Sequence, residues 1–265
     1  MNFKTVLQGL FGVSAYLYFF YSLPFAATIF MINGSEHVSE LDSVFPYNID
    51  YNYENSDMAT GWKVVINILL LGAFAIPHSF FARSQVKKYM NLPKEIERSF
   101  YVLQAAGLLH MLLALWRPIP DEIWRTGTPG SIPILVVYFL GAAWLVSSTF
   151  AIDHFELFGL RQSLRMGSFL KMNSDTNFVT KFHYKLVRHP IMTGFFIMLW
   201  AVPEMSAGHL LFSLACSAYI LLAVFLLEER DLMKMFGDDY KNYKKETPAF
   251  CPFMNKCYPS PQVEN

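Results

Sequence analysis

The chain has 265 residues, of which 54% are hydrophobic and only 16% are charged. Soluble domains carry roughly 25% charged residues, so this composition excludes an ordinary soluble protein and indicates an integral membrane protein. The 21 basic and 21 acidic residues cancel, which excludes the net positive charge typical of proteins that bind nucleic acid. Three cysteines, with no CxxC pair and no Cys/His cluster, predict neither a disulfide framework nor a metal site.

Long charge-free stretches predict an all-α polytopic membrane protein with about six transmembrane segments. A helix needs about 20 apolar residues to cross the hydrocarbon core. The first stretch lies between Lys4 and Glu36 and is too long for the apolar region of a signal peptide. The last two stretches flank Pro203-Glu204, which predicts a tight helical hairpin with a short first arm. The segments after the first are expected at 64–82, 99–116, 131–152, 191–203 and 205–227.

The distribution of basic residues predicts how these segments are oriented. Lys and Arg accumulate on the cytoplasmic side of a membrane, because their translocation is disfavoured. If successive loops are assigned to the two sides of the membrane in turn, 18 of the 21 basic residues lie on one side. Only Lys63, Arg117 and Arg125 lie on the other side. The first loop on the second side, 33–62, carries six acidic residues and no Lys or Arg. We therefore expect both termini to be cytoplasmic.

Two polar clusters stand at the ends of the predicted hairpin. Arg188-His189-Pro190 comes directly before its first arm, and Glu228-Glu229-Arg230-Asp231 directly follows its second arm. If the arms fold back on each other, the two clusters meet at one membrane boundary and suit a cationic or zwitterionic ligand. The alternative is that they are ordinary interfacial charges that extend to the lipid headgroups.

The order and spacing of these clusters resemble the C-terminal core of membrane methyltransferases related to isoprenylcysteine carboxyl methyltransferase. Within that superfamily the chain looks most similar to the branch that contains methanethiol S-methyltransferases and nurim. We accordingly expect residues 1–62 to form the first helix and an acidic outer loop, and residues 63–265 to form the methyltransferase-like core with a cytosolic tail. The motifs that carry the resemblance are Pro77-His78-Ser79, Glu97-Arg98-Ser99-Phe100-Tyr101, Asp153-His154-Phe155-Glu156, Tyr184 to Pro190, Glu228-Glu229 and Phe236-Gly237-x-x-Tyr240-x-x-Tyr243.

The resemblance implies an S-adenosyl-L-methionine-dependent enzyme with a cofactor pocket on the cytosolic side. Two positions depart from the carboxyl methyltransferase pattern: Met192 replaces a common aromatic residue, and Val224 replaces an arginine that handles the prenylcysteine substrate. A prenylcysteine acceptor is therefore not expected, and a small thiol such as methanethiol is. The positions that match cofactor contacts in the family are Phe178, Val179, Tyr184, His189, Pro190 and Glu228.

Methyl transfer to a thiol needs a positioned thiolate, because the thiolate rather than the thiol is the nucleophile. Two interpretations stay open: Arg188 or the cofactor's own positive charge stabilises the anion, or Glu229 accepts the proton. His189 has a second interpretation as a simple loop cap. Tyr240 and Tyr243 share one helix face and are interpreted as interfacial anchors or as lids over the cofactor.

Three polar residues near the predicted cytosolic ends of other segments are candidates for binding the acceptor. His78 and Ser79 follow Pro77, so a locally satisfied helix kink is an equal alternative for them. His154 is the third candidate, and with Asp153 it also fits a structural clasp to Arg161.

Two other functions share the same motifs. One is a nurim-like nuclear-envelope protein without catalysis, and the other is a methyltransferase that acts on another small or lipid acceptor. The intact Glu228-Glu229 pair favours an enzyme. A bacterial inner membrane and the endoplasmic reticulum or nuclear envelope are both compatible locations, and the expected partners are a small thiol and the lipid bilayer, with no nucleic acid and no metal.

Overall fold

The computed structural model describes residues 2–32, 48–50, 58–127, 129–166 and 182–252. Within these ranges the regular secondary structure is helical apart from two short strands. In chain order the elements are α1 (Phe3–Phe20), a π-helix (Tyr21–Ala27), α2 (Thr28–Ile32), α3 (Thr60–Phe81), α4 (Ser84–Met90), α5 (Lys94–Leu115), β1 (Glu122–Arg125), α6 (Ser131–Ile152), α7 (His154–Leu157), α8 (Leu160–Leu164), a 3-10 helix (Phe182–Lys185), α9 (Pro190–Trp200), β2 (Glu204–Ser206), α10 (Ala207–Ala223), a second π-helix (Val224–Glu228), α11 (Glu229–Phe236) and α12 (Asp238–Glu246).

The predicted all-α membrane fold is confirmed. Five continuous helical segments are long and apolar enough to cross a bilayer, and α9 is a shorter apolar helix. With 11 residues, α9 is about 16 Å long, roughly half the thickness of the hydrocarbon core. The short first arm of the predicted hairpin is therefore present. The five long segments are Phe3–Ile32, Thr60–Phe81, Lys94–Leu115, Ser131–Ile152 and Ala207–Phe236.

Local sequence explains where several helices begin and change. The Asn2 side chain accepts a hydrogen bond from the Thr5 backbone N–H and caps α1. Pro24 has no backbone N–H to donate, and the first π-helix surrounds it. Helix α5 begins before its apolar stretch, because Glu95 and Glu97 in its first turn stabilise the positive end of the helix dipole.

The turn between the two arms of the hairpin differs from the expected tight turn at Pro203-Glu204. Strand β2 follows Pro203 and pairs antiparallel with β1, which lies in the loop between α5 and α6. The Asp50 carboxylate accepts a hydrogen bond from the Ser206 backbone N–H and connects the segment 48–50 to the same sheet. The prediction of a tight turn was wrong because backbone pairing with a loop about 80 residues earlier sets the geometry here.

The first arm of the hairpin packs closely against α6. Gly141 on α6 and Gly194 on α9 face each other, and a Cβ atom added at Gly194 would lie 2.8 Å from the Gly141 carbonyl oxygen and 2.7 Å from Leu145 Cβ. Small residues at helix crossings let backbones approach in membranes, where packing rather than the hydrophobic effect drives association. This contact fixes α9, and with it the residues directly before α9, relative to α6.

We predict that Gly194→Ala lowers the free energy of unfolding in detergent by about 1–3 kcal/mol, because the added methyl overpacks the crossing. Gly72→Ala is the matched control, since no atom lies within 4 Å of a Cβ built at Gly72 on α3. Alanine stabilises a helix interior relative to glycine, so the control variant should be at least as stable as wild type. Equal unfolding midpoints for the two variants would contradict the close α6–α9 crossing.

Candidate active site

The two polar clusters at the ends of the hairpin meet in the structure. The Arg188 guanidinium donates from Nε and Nη2 to Glu229 Oε1, at 2.9 and 2.7 Å. Both side chains are buried, with 7% of Arg188 and 2% of Glu229 exposed. The predicted meeting of these clusters is thus confirmed, and the alternative of separate interfacial charges is wrong for this pair.

Glu229 is the centre of a wider ion-pair network. Its second oxygen, Oε2, accepts from Lys244 Nζ at 2.6 Å, and Oε1 also lies 3.3 Å from His189 Nε2. The remaining Arg188 donor, Nη1, binds the backbone carbonyl oxygens of Lys244 and Thr247. A buried carboxylate needs such partners, because desolvation of an unpaired charge is costly. The network joins the start of α9, the start of α11 and the end of α12.

Backbone pairing holds the Arg188-His189 turn in place. The Arg188 and His189 N–H groups donate to the carbonyl oxygens of Pro248 and Ala249, at 2.8 and 3.0 Å. Pro190 is the first residue of α9. A backbone N–H at this position has no acceptor within the helix, so proline, which lacks the N–H, is well tolerated there. The Phe250 ring packs against His189 with the ring centroids 5.8 Å apart. The segment 247–250 therefore covers the entrance to α9.

His189 and Glu228 form a second, more open contact beside the buried pair. His189 Nδ1 lies 3.6 Å from Glu228 Oε2, and 3% of the His189 side chain is exposed against 49% for Glu228. Burial lowers the pKa of His189, but the hydrogen bonds and negative charges of Glu228 and Glu229 outweigh burial and raise the pKa above its usual value. The two carboxylates thus stabilise the protonated imidazole relative to a free histidine, and about half of the Glu228 side chain stays exposed.

Tyr184 lies against the same region from the 3-10 helix. The Tyr243 hydroxyl donates to the Tyr184 carbonyl oxygen, so α12 supports this short helix. Both Tyr240 and Tyr243 are buried, with 1% and 9% exposed, and burial raises the pKa of Tyr243 to about 12. The interpretation of these tyrosines as interfacial anchors was wrong, because the folded tail turns them inward against the rest of the site.

The acceptor-side candidates His78 and Ser79 lie near the end of α3. The Tyr101 hydroxyl lies 3.2 Å from His78 Nε2, and the Ser79 and Tyr219 hydroxyls are 2.8 Å apart. Arg83, just beyond α3, pairs with Asp231 on α11 at 3.4 Å. The end of α3 therefore packs beside the helix that carries Glu228 and Glu229.

His154 has a different environment. Its two ring nitrogens contact the Tyr16 and Thr149 hydroxyls at 2.9 and 2.7 Å, and its ring stacks on Phe150. These contacts are to α1 and α6, not to the Arg188–Glu229 network. The expected structural clasp is an ion pair between Asp153 Oδ2 and Arg161 Nε, which are 2.6 Å apart. His154 is not part of this ion pair. The remaining cofactor-side candidates, Phe178 and Val179, lie outside the described residues.

Comparisons with known proteins show the family of the chain. The chain is 39% identical over 249 residues to methanethiol S-methyltransferase 1 of Bradyrhizobium diazoefficiens, covering 92% of this chain and 81% of that protein. It is 38% identical to the methanethiol S-methyltransferase of Mycobacterium tuberculosis, covering 96% of this chain and 99% of that protein. The chain belongs to the methanethiol S-methyltransferase family. It is thus a membrane methyltransferase.

A weaker likeness extends to nurim of Danio rerio, which is 28% identical over 172 residues and covers 60% of this chain. No protein-family model matches the chain, and no solved structure matches it. The resemblance in the C-terminal motifs predicted both the methanethiol S-methyltransferase relatives and the more distant nurim relatives, and it is confirmed.

Two residues of the Arg188–Glu229 network and its surroundings were not predicted from the sequence. Lys244 neutralises Glu229, and Phe250 covers His189. An acidic pair opposite the single Arg188 leaves one carboxylate without a fixed cation, and this imbalance is a signal that points to a further basic residue. Phe250 gave no comparable signal. Among the described residues there is no group of three His, Cys, Asp or Glu side chains that would hold a metal ion.

We predict that the imidazole of His189 contributes stability that depends on pH. Its pKa is raised in the folded protein, so the contribution is fully present below the ordinary histidine pKa of about 6.5 and is lost as the pH rises through the folded pKa. The difference in unfolding free energy between wild type and His189→Gln should therefore shrink with rising pH. Unfolding in detergent over a pH series measures it, and a difference that grows with pH would contradict the assignment.

Proposed function

We propose that this methyltransferase transfers a methyl group from S-adenosyl-L-methionine to a small thiol, most specifically methanethiol, and releases dimethyl sulfide. The observation that carries the proposal is the half-exposed Glu228 carboxylate held beside buried His189 in a chain whose full-length relatives are named for this reaction. A carboxylate at an open edge of a buried network attracts a cationic ligand, and the donor is a sulfonium cation.

The residues at this site fit such a donor by their chemistry. Glu228 supplies an accessible anionic acceptor, and the buried imidazole of His189 fixes where that carboxylate lies. Tyr184 and Pro190 border the same turn, and Phe178 and Val179 complete the proposed set on grounds of family resemblance. When bound, S-adenosyl-L-methionine supplies an electrophilic methyl group. The protein orients donor and acceptor, and such orientation can contribute about 7–11 kcal/mol to catalysis.

Arg188 and Glu229 act as positioning residues in this proposal rather than as the groups that touch the thiol. Glu229 already receives hydrogen bonds from Arg188 and Lys244, and its side chain is 2% exposed. A carboxylate so engaged is a poor proton acceptor. Arg188 and Glu229 therefore both support the proposed site, and neither stabilises the thiolate directly or accepts its proton.

The proposed donor site opens to the cytosol. The clusters at 188–190 and 228–231 lie at the bundle end that the distribution of basic residues assigns to the cytoplasmic side, together with both termini. The donor is polar and water-soluble, whereas a small thiol partitions into the apolar membrane. The two substrates would then reach the site from different phases.

Purified protein in detergent should bind S-adenosyl-L-methionine and convert methanethiol to dimethyl sulfide, as measured by isothermal titration and headspace gas chromatography. Glu228→Gln removes the accessible charge and should weaken donor binding at least tenfold, equivalent to about 1.4 kcal/mol. Asp231→Asn is the matched control, because Asp231 is a half-exposed acid on the same helix whose described partners are Arg83 and Lys234.

Equal donor affinity in the two variants would overturn the Glu228 assignment. Wild-type protein that binds no donor and forms no product would instead favour a non-catalytic relative of the nurim type.

A further inference from the structure

A polar cluster lies inside the helical bundle where α3, α5 and α10 meet. The Tyr101 hydroxyl on α5 contacts His78 Nε2 on α3 at 3.2 Å. The Tyr219 hydroxyl on α10 contacts the Ser79 hydroxyl at 2.8 Å, and the Tyr219 and His78 rings meet edge to face. Ionisable and polar side chains inside a membrane protein are costly and typically mark a substrate pathway or a proton relay.

Two cations flank the Tyr101 side of this cluster. The guanidinium carbon of Arg98 lies 5.4 Å from the centroid of the Tyr101 ring, and the Lys87 ammonium lies 6.0 Å from it. Arg98 is held there by a 2.6 Å hydrogen bond to the Leu157 carbonyl oxygen. Positive charge next to a buried thiol stabilises its thiolate form. The surroundings of Tyr101 therefore suit an anionic sulfur.

The cluster also contains an unsatisfied amide. Gln104 lies one helical turn beyond Tyr101 on the same face of α5. Its amide oxygen and nitrogen are both buried, and neither has a hydrogen-bond partner within the part of the chain that the structure describes. Buried polar atoms are normally satisfied, so a polar ligand or water is expected next to them. Gln104 thus offers a hydrogen-bond donor and an acceptor that no described residue uses.

One continuous helical segment, Ala207–Phe236, carries both Tyr219 of the cluster and Glu228 of the proposed donor site. Tyr219 precedes Glu228 by nine residues, which corresponds to about 13 Å along the axis. The cluster therefore lies on the membrane-core side of the donor site, where an apolar thiol arrives. His78, Ser79, Tyr101 and Tyr219 are each only partly buried, so each retains an accessible surface.

We propose that this cluster binds the thiol acceptor and that the Tyr101–His78 pair removes its proton; this rests on the proposed function above. The thiol proton passes to the Tyr101 oxygen as the Tyr101 proton passes to His78 Nε2, leaving a tyrosine, an imidazolium and a thiolate. The thiolate electron pair forms the new carbon–sulfur bond, and the methyl–sulfur bond of the donor breaks, returning its electron pair to the donor sulfur. His78 then releases the proton to water. Tyr219 and Ser79 are positioning residues that hold α3 against α10.

The test compares two acceptors of nearly equal shape and different acidity, methanethiol and methaneselenol. The selenol is already ionised at neutral pH and needs no proton acceptor. His78→Gln and Tyr101→Phe should lower kcat/KM for methanethiol by about 100-fold or more, the usual contribution of general-base catalysis. The same variants should lower kcat/KM for methaneselenol by less than about threefold, a difference that a merely structural loss would not produce. Tyr89→Phe is the matched control, because the Tyr89 side chain is almost fully exposed on α4.

The affinity for S-adenosyl-L-methionine, measured by titration, should stay within about twofold of wild type in all three variants. This is well below the tenfold loss expected for Glu228→Gln, which corresponds to about 1.4 kcal/mol. An equal loss with both acceptors, or no loss with either, would overturn the proton-acceptor role while leaving the proposed function in place. Failure of wild type to bind the donor or to methylate either acceptor would overturn the proposed function itself and this inference with it.

Discussion

The buried ion pair between Arg188 and Glu229 is the interaction on which the site depends. It joins residues 41 positions apart in the chain, and its formation requires α9 and α10 to return to the same membrane boundary. Lys244 adds a third chain segment to the same carboxylate. A charge in a low-dielectric setting is stable only when it is paired and hydrogen-bonded, so the folded tail and the hairpin constrain each other. The neighbouring Glu228 is not part of this buried pair and keeps 49% of its side chain exposed.

The site is divided by depth in the membrane. Near the boundary, His189 and Glu228 form a half-open contact with carboxylate surface available to a cation. Deeper in the bundle, Tyr101, His78 and Tyr219 form a polar cluster among apolar helices. This division matches the solubilities of the proposed sulfonium donor and the proposed thiol acceptor. A single helical segment, Ala207–Phe236, carries Tyr219 of the deeper part and Glu228 of the other.

Much of the fold followed from the sequence, because charge-free stretches of sufficient length have few alternatives in a membrane. The clusters at 188–190 and 228–229 were also predictable, since they stand at the two ends of one hairpin. The β1–β2 pairing and the role of Lys244 were not, because both depend on contacts between segments far apart in the chain. The tyrosines of α12 illustrate the same limit: their spacing defined a shared helix face, but only the tail's backbone pairing with residues 188 and 189 turns that face inward.

A double-mutant cycle on Arg188 and Glu229 tests this account most directly. Unfolding free energies in detergent would be measured for Arg188→Met, Glu229→Met and the double variant, with Arg83→Met and Asp231→Met as the exposed reference pair. Breaking a buried pair from one side leaves an uncompensated charge and costs about 3–5 kcal/mol, whereas replacing both partners with apolar side chains is often neutral. We expect a coupling free energy on the order of 2 kcal/mol or more for the buried pair and below about 1 kcal/mol for the reference pair. A coupling for Arg188 and Glu229 no larger than that of the reference pair would contradict it.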